Sequence, residues 1–391
     1  MRFLILSDMF SLESWLVKDR EPEIMPAVYE FFTYLGKSKE NSFVCIIFHR
    51  NIRKTISFDN GSVIQILPIT SSFHYIRKFF SLFAMYGIGK KQLQKKNYDV
   101  IYGLSIYSTI ASLLGKKFGI LSVSRIFGTL VNDLLLKKRY FKLYTRHILQ
   151  YLELKLPSDL IICTEDGTKF DDALLSINPN KKVNMLYNGI NSALRKKLMQ
   201  IPLISLISKS QVIRLYSIGR LTSWKRHDLS IMTVYHLKEK YKLSLRLTIL
   251  GHGEDRSKLN KLIKNLKLTN EVELRSPIPH QSISDFLKQQ HIGLFLYDVS
   301  NMGNAFWESC LSGRFIVTRN NGKIDTIFSE DISAIVATSN PLDIAAHIYK
   351  HLDVSIEKDV SSVRNTINTT IPSWESRFTE EISIIKSILK D

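Results

Sequence analysis

Two successive runs of alternating strand and helix patterns constrain this chain more than any other feature. In the first run, Phe3 to Ser7, Phe43 to Phe48, Val63 to Leu67, Val100 to Leu104, Ser122 to Phe127, Leu160 to Cys163 and Val183 to Tyr187 read as strands. Pro26 to Lys37, Phe73 to Lys95 and Tyr107 to Lys116 read as helices between them. In the second run, strands fit Val212 to Ile218, Leu245 to Leu250, Glu271 to Leu274, Ile292 to Tyr297, Phe315 to Thr318 and Ala334 to Val336. Helices fit Lys225 to Tyr241, Asp255 to Leu266, Gln281 to Gln289, Asn304 to Ser312 and Pro341 to His351. Near-continuous apolar strands need cover on both faces, so the alternation predicts an α/β protein with largely parallel, helix-wrapped sheets.

A chain of 391 residues is long enough for two such cores. Leu194 to Ser210 is basic and apolar without a clear period, and reads as an irregular connection. The expected domains are therefore 1–193 and 211–371, with 194–210 as the linker. After Pro372, the residues Trp374, Phe378, Ile382, Ile385 and Leu389 recur at helical spacing. They predict a terminal helix over 372–391 that packs back on the N-terminal domain.

Cys45, Cys163 and Cys310 are scattered and suggest neither a disulfide framework nor a zinc site, which fits a reducing compartment. Met1-Arg2 leads into a short strand that Asp8 interrupts, which does not read as a signal peptide. The longest uncharged run, Val100 to Gly115, is too short and too rich in Ser, Thr and Tyr to span a bilayer. A cytoplasmic protein is expected. The 54 basic residues outnumber 36 acidic ones, so a net charge of +18 favours anionic partners. Lys137-Lys138-Arg139 lies within Leu134 to Tyr144, a basic and aromatic stretch suited either to lipid headgroups or to a solvated helix face. The whole pattern favours an anionic membrane surface, peripheral and at its inner face. Nucleic acid is not expected, because no RNP-like strand, zinc finger or KH-type glycine loop accompanies the charge.

Gly219-Arg-Leu-Thr-Ser-Trp-Lys225 joins a strand to a helix. Unpaired N–H groups and the helix dipole at such a turn favour an anion, unless the stretch is only a solvated basic loop. Arg220 offers forked hydrogen bonds to phosphate and Lys225 a point charge. A second loop runs from Tyr297 to Glu308. There Gly303 permits close backbone approach, Asn304 suits an N-cap, and Glu308 follows one turn later, where a carboxylate accepts both hydroxyls of a ribose. An ordinary capped helix with a surface glutamate is the alternative.

With these motifs the second half resembles the family 4 glycosyltransferases, retaining enzymes of the GT-B architecture. The matching features are Gly219-Arg220…Lys225, Gly251-His252-Gly253, Gly303-Asn304-Ala305-Phe306-Trp307-Glu308, Asn188-Gly189-Ile190 and the turn Asn320-Asn321-Gly322. Over the first half the similarity is architectural. The resemblance implies two Rossmann-like domains whose parallel sheets face each other across a cleft. It also implies that Arg220 and Lys225 hold a donor diphosphate and Glu308 the ribose, these three forming the catalytic set. Gly219, Gly251, Gly253, Ser300, Gly303, Asn304 and Ala305 complete the implied donor site. Arg125, Gly128 and Thr129 stand on the implied acceptor side, where Arg125 suits either an anionic acceptor or a core-edge carboxylate.

Two departures from the family pattern stand out. Ser300 occupies the first glutamate position of the Glu-x7-Glu pair, and Arg125-Ile-Phe-Gly128-Thr129 replaces a His-Gly in the first domain. There is no Asp-x-Asp pair, and Glu271-Val-Glu273 reads as the outer face of a strand, so no metal and no cofactor is expected. His227, His252 and His280 read as structural or solvent-facing. The expected activity is transfer of a sugar from a nucleotide-sugar to a glycan or lipid-linked acceptor in cell-surface polysaccharide synthesis. A nucleotide-sugar 2-epimerase of the same architecture and a non-catalytic basic scaffold for membrane or nucleic acid are the alternatives.

Overall fold

The computed structural model describes residues 1–9, 12–17, 26–69, 74–155, 157–321, 323–328, 335–336 and 338–390. Phe73, Gly322 and Ala334, which figure in the sequence readings, lie outside the described residues. The chain divides into two compact units. The first comprises 1–165, 169–187 and 374–391, and the second 166–168 and 188–373.

The first unit holds β1 (Arg2–Ser7), β2 (Ser42–His49), β3 (Lys54–Ser57), β4 (Val63–Pro68), β5 (Val100–Leu104), β6 (Leu121–Ile126), β7 (Leu160–Thr164) and β8 (Asn184–Leu186), in spatial order 3-4-2-1-5-6-7-8. All neighbours are parallel except the edge strand β3, which sequence reading missed. In β1, Phe3 and Ile5 enter one apolar cluster while Leu4 and Leu6 enter another. Successive side chains point to opposite faces, so a strand buried on both sides shows no polar alternation. The helix Trp374–Lys390 buries Trp374, Phe378, Ile382 and Ile385 in the Phe3/Ile5 cluster. The Phe378 ring stands 5.3 Å from that of Phe31, on the helix Pro26–Lys37.

The second unit holds β9 (Ile213–Ile218), β10 (Leu245–Leu250), β11 (Val272–Arg275), β12 (Ile292–Phe295), β13 (Phe315–Arg319) and β14 (Ile335–Val336). Its spatial order is 11-10-9-12-13-14, and every pairing is parallel. This is the doubly wound order, in which the winding direction reverses between β9 and β12. Helices on either side of that point diverge and leave a crevice at the carboxyl ends.

The stretch 194–210 is not uniformly irregular. It continues the helix Ser192–Met199, whose cap is Asn191, with the side-chain oxygen accepting from Ala193 N and Leu194 N at 3.0 and 3.2 Å. Residues 188–373 form one unit, so 194–210 belongs to the second core and is not a linker. Ile207, fully buried, packs with Ile213 and Ile356. Glu357–Thr370 is a further helix that its weak apolar period concealed.

Candidate functional site

The reversal point gathers the two loops singled out from the sequence. After β9 the chain passes Gly219 and enters a short turn, Ser223–Lys225, before the helix His227–Glu239 begins. After β12 it runs through 296–303 to the helix Asn304–Leu311. Asp298 N donates to Trp224 O at 2.9 Å and joins the two loops directly.

Lys225 is the centre of the arrangement. Its Nζ donates to Ser300 O at 2.9 Å and stands 3.7 Å from the Tyr297 ring centroid and 4.6 Å from that of Trp224. Arg220 also stands over the Trp224 ring, 5.4 Å from its centroid. Burial pulls the Lys225 ammonium down to about 7, with Asp166 opposing and Arg220 adding to the shift. Two cations so placed, Lys225 half-buried and Arg220 exposed, can receive a diphosphate.

Several groups set this turn. His227 is buried and bridges Ser217 Oγ and the Arg220 carbonyl at 3.2 Å each. Burial lowers its pKa to about 4, so it is a neutral structural bridge, matching its structural reading. Gly251 abuts the Gly219 carbonyl so closely that a Cβ would overlap it. Leu221 N donates to His252 O at 2.9 Å, and Gly253 backs onto Leu221. The Gly251-His252-Gly253 turn thus shapes the basic loop through its backbone.

Glu308 is buried on the helix Asn304–Leu311, and its Oε1 lies 2.7 Å from His280 Nε2. His280, half-buried, holds this carboxylate, a role within its structural reading. Gly303, not Asn304, is the N-cap residue of the helix. Asn304 instead donates to Gly189 O at 2.7 Å and accepts from Asn188 Nδ2 at 3.0 Å, which anchors the helix start. A Cβ at Gly303 would meet nothing within 4 Å, so the start of the helix is uncrowded on that side. Asn321, from the predicted post-strand turn, donates to Tyr297 O at 2.5 Å and fastens the loop from behind.

Asp166 was not anticipated. Its Oδ2 accepts from Ser300 Oγ at 2.8 Å, and its Oδ1 accepts from Thr168 N and Oγ1 at 3.1 and 2.6 Å. Burial pushes its carboxyl up while Thr168, Ser300 and Lys225 work against the rise.

On the acceptor side the readings change. Arg125 is buried, donating to Ile126 O and Thr164 Oγ1, with its Nε 3.7 Å from Glu381. The guanidinium pairs with a core carboxylate and does not present itself to an acceptor. Thr129 is buried too, and its Oγ1 accepts from Val131 N at 3.1 Å to start the helix Val131–Leu136. Gly128 makes the preceding turn at φ 94°.

Two doubly wound α/β units, with a basic turn and a buried glutamate at the reversal point of the second, define the GT-B class of fold. Residues 205–367, which lie within the second unit, match the family model "Glycosyl transferases group 1". The chain is 23% identical over 300 residues to a component of the phosphatidylinositol N-acetylglucosaminyltransferase of Arabidopsis thaliana, covering 72% of this chain and 65% of that protein. It is 26% identical over 193 residues to the GDP-Man:Man(3)GlcNAc(2)-PP-Dol alpha-1,2-mannosyltransferase of Homo sapiens, covering 45% of this chain and 38% of that protein. The alignments thus span less than two thirds of either curated relative. Sucrose-phosphate synthase from Thermosynechococcus elongatus has the same fold at 12% identity, with a TM-score of 0.76 over 100% of this chain and 99% of that one.

Proposed function

We propose that the protein is a retaining, metal-independent glycosyltransferase that moves a sugar from a nucleotide-sugar to a glycan or lipid-linked acceptor in cell-surface polysaccharide synthesis. The observation that carries this reading is Lys225, on the turn after β9 at the reversal point, whose ammonium donates to Ser300 O of the loop that opens the Glu308 helix. In the reaction the bond from the anomeric carbon to the diphosphate oxygen breaks, and charge develops on that oxygen. Arg220 and Lys225 would neutralise it without a metal. In a front-face path the departing phosphate takes the acceptor proton as the new glycosidic bond forms, so no protein nucleophile is required. Glu308, held by His280, would accept the ribose hydroxyls. The names of both curated relatives contain a lipid-borne acceptor, phosphatidylinositol in one and Man(3)GlcNAc(2)-PP-Dol in the other.

A panel of UDP-, GDP- and other nucleotide-sugars, each with and without extracts of lipid-linked glycans, tests the reading. Release of nucleoside diphosphate should depend on one donor and fall by about 10²-fold or more in both Arg220→Ala and Glu308→Ala. Unchanged turnover in both variants would refute the site. Conversion of the donor to its epimer without any acceptor would assign the chain to the epimerases instead.

A cytoplasmic location at the inner face of an anionic membrane forms part of the proposal. Among the described residues no helix is long and apolar enough to cross a membrane. The helices Val131–Leu136 and Tyr140–Arg146 nevertheless leave Leu136 75% and Phe141 84% exposed beside Lys137, Lys138, Arg139 and Lys142. Leu143 is buried and anchors the second helix, so the apolar tips point outward by construction. Full burial of one such side chain is worth about 1.5–3 kcal/mol, and each nearby cation adds about 1 kcal/mol at an anionic surface. Leu136→Ala with Phe141→Ala should therefore reduce sedimentation with phosphatidylserine-containing vesicles at least about tenfold. Equal binding by the double variant would remove this surface from the proposal.

A further inference from the structure

Ser300 is half-buried and adopts the left-handed backbone region, φ 56°, where a residue other than glycine is strained. That conformation serves two contacts at once. The Ser300 carbonyl accepts from Lys225 Nζ at 2.9 Å, and its hydroxyl donates to Asp166 Oδ2 at 2.8 Å. Asp166 reaches the loop from the segment 166–168, which packs with the second unit although it follows β7 of the first. Met302 N donates to the Asp166 carbonyl at 3.1 Å, and Asn301 lies so close to Gly167 (φ 83°) that a Cβ there would overlap it. Asp166 is thereby held by its backbone and by both carboxylate oxygens. Its own cap to Thr168 uses one oxygen only, which leaves the other committed to Ser300.

We infer that Asp166 and Ser300 act together as the acceptor of a donor-sugar hydroxyl, replacing a single carboxylate at position 300, with Asp166 as the positioning residue. The inference rests on the nucleotide-sugar reading of the Lys225 site. A serine hydroxyl has one proton, and Asp166 takes it, so the lone pairs of Oγ are what remain for a ligand. If Lys225 holds the diphosphate, the group attached to it would come within reach of Ser300, whose carbonyl already takes the same ammonium. Sugar hydroxyls are donors, and an acceptor polarised by a buried anion is stronger than a neutral one. Lys225, Asp166 and Ser300 thus connect phosphate recognition to sugar recognition through one chain of contacts.

Asp166→Asn tests this with little change of shape. The amide oxygen can still accept from Thr168, but its nitrogen donates to Ser300 Oγ and turns the serine proton outward. The variant's affinity for the nucleotide-sugar should fall about 10–100-fold beyond its loss for free nucleoside diphosphate, which forfeits only the support that Asp166 gives to the Lys225 charge. Ser300→Ala should produce the same split, and the double variant should be no worse than either single one. Ser300→Glu placed on Asp166→Asn should recover part of the lost sugar affinity. Equal loss of diphosphate and nucleotide-sugar binding in Asp166→Asn and Ser300→Ala would show a structural role and overturn the inference. So would unchanged affinity for both ligands, which leaves the glycosyltransferase reading intact. Failure of the wild-type protein to bind any nucleotide-sugar would overturn both.

Discussion

Lys225→Ala is expected to lower kcat/KM for the nucleotide-sugar about 10²–10³-fold while the protein stays folded, because the charge developing on the departing diphosphate loses its ammonium partner. The ammonium touches the turn through Ser300 O and the two rings of Trp224 and Tyr297, so its removal breaks no ion pair. The same residue predicts an unusual pH response. Burial lowers Lys225 to about 7 from an ordinary 10.5, so near neutrality the ligand-free site holds only part of its proton. An arriving diphosphate favours the charged form, and binding takes up that proton. Nucleotide-sugar affinity should therefore weaken as pH rises above about 7, and Lys225→Arg should flatten the profile. Stability moves the other way. Between the folded and unfolded values the unfolded chain binds more protons, so this group makes the ligand-free protein more stable as pH rises through that window. Titration calorimetry in buffers of different ionisation enthalpy measures the proton uptake. A kcat/KM within about threefold of wild type for Lys225→Ala would sink the assignment.

Glu381→Ala should cost the most stability of any single change in the first unit, about 3–5 kcal/mol. Glu381 is fully buried on the C-terminal helix and accepts from Tyr102 and from Arg377 Nη1, the latter at 2.6 Å, with Arg125 Nε at 3.7 Å. Burial pushes its carboxyl up, but Arg377 and Arg125 overcome this and hold it below the usual range. Removing it leaves two guanidiniums in a dry core with no anion. For a unit of this size the melting temperature should drop about 6–20 °C. A depressed carboxyl stabilises above its unfolded pKa and loses that contribution as pH falls through its folded one, so the wild type should also weaken below the ordinary glutamate range. Thermal unfolding across acid pH, with Glu381→Ala alongside, checks both statements. A shift under about 2 °C would show that the buried triad carries no net stability.

Much of the candidate site could be read locally. The Gly219 to Lys225 turn and the Gly303 to Glu308 segment each lie within one strand-to-helix passage, so their residue order reports their geometry. Partners from elsewhere in the chain left no such trace. Asp166 meets Ser300 across 134 positions and His280 meets Glu308 across 28, with no shared period to announce either. Arg125 shows the same limit from the other side. Its place at the end of a strand suited an acceptor role, and only the fold revealed that Glu381, from the far terminus, already neutralises it.

Residue order alone determined the two strand-helix alternations, the basic turn and the glutamate one helical turn beyond Asn304, because periodicity and turn chemistry act over a few neighbours. Tertiary structure decided the winding reversal between β9 and β12, the assignment of 188–210 and 166–168 to the second unit, and the carboxylate that stands behind Ser300. Each of those follows from which segments pack together, a balance of burial and closure that no short stretch of the chain records.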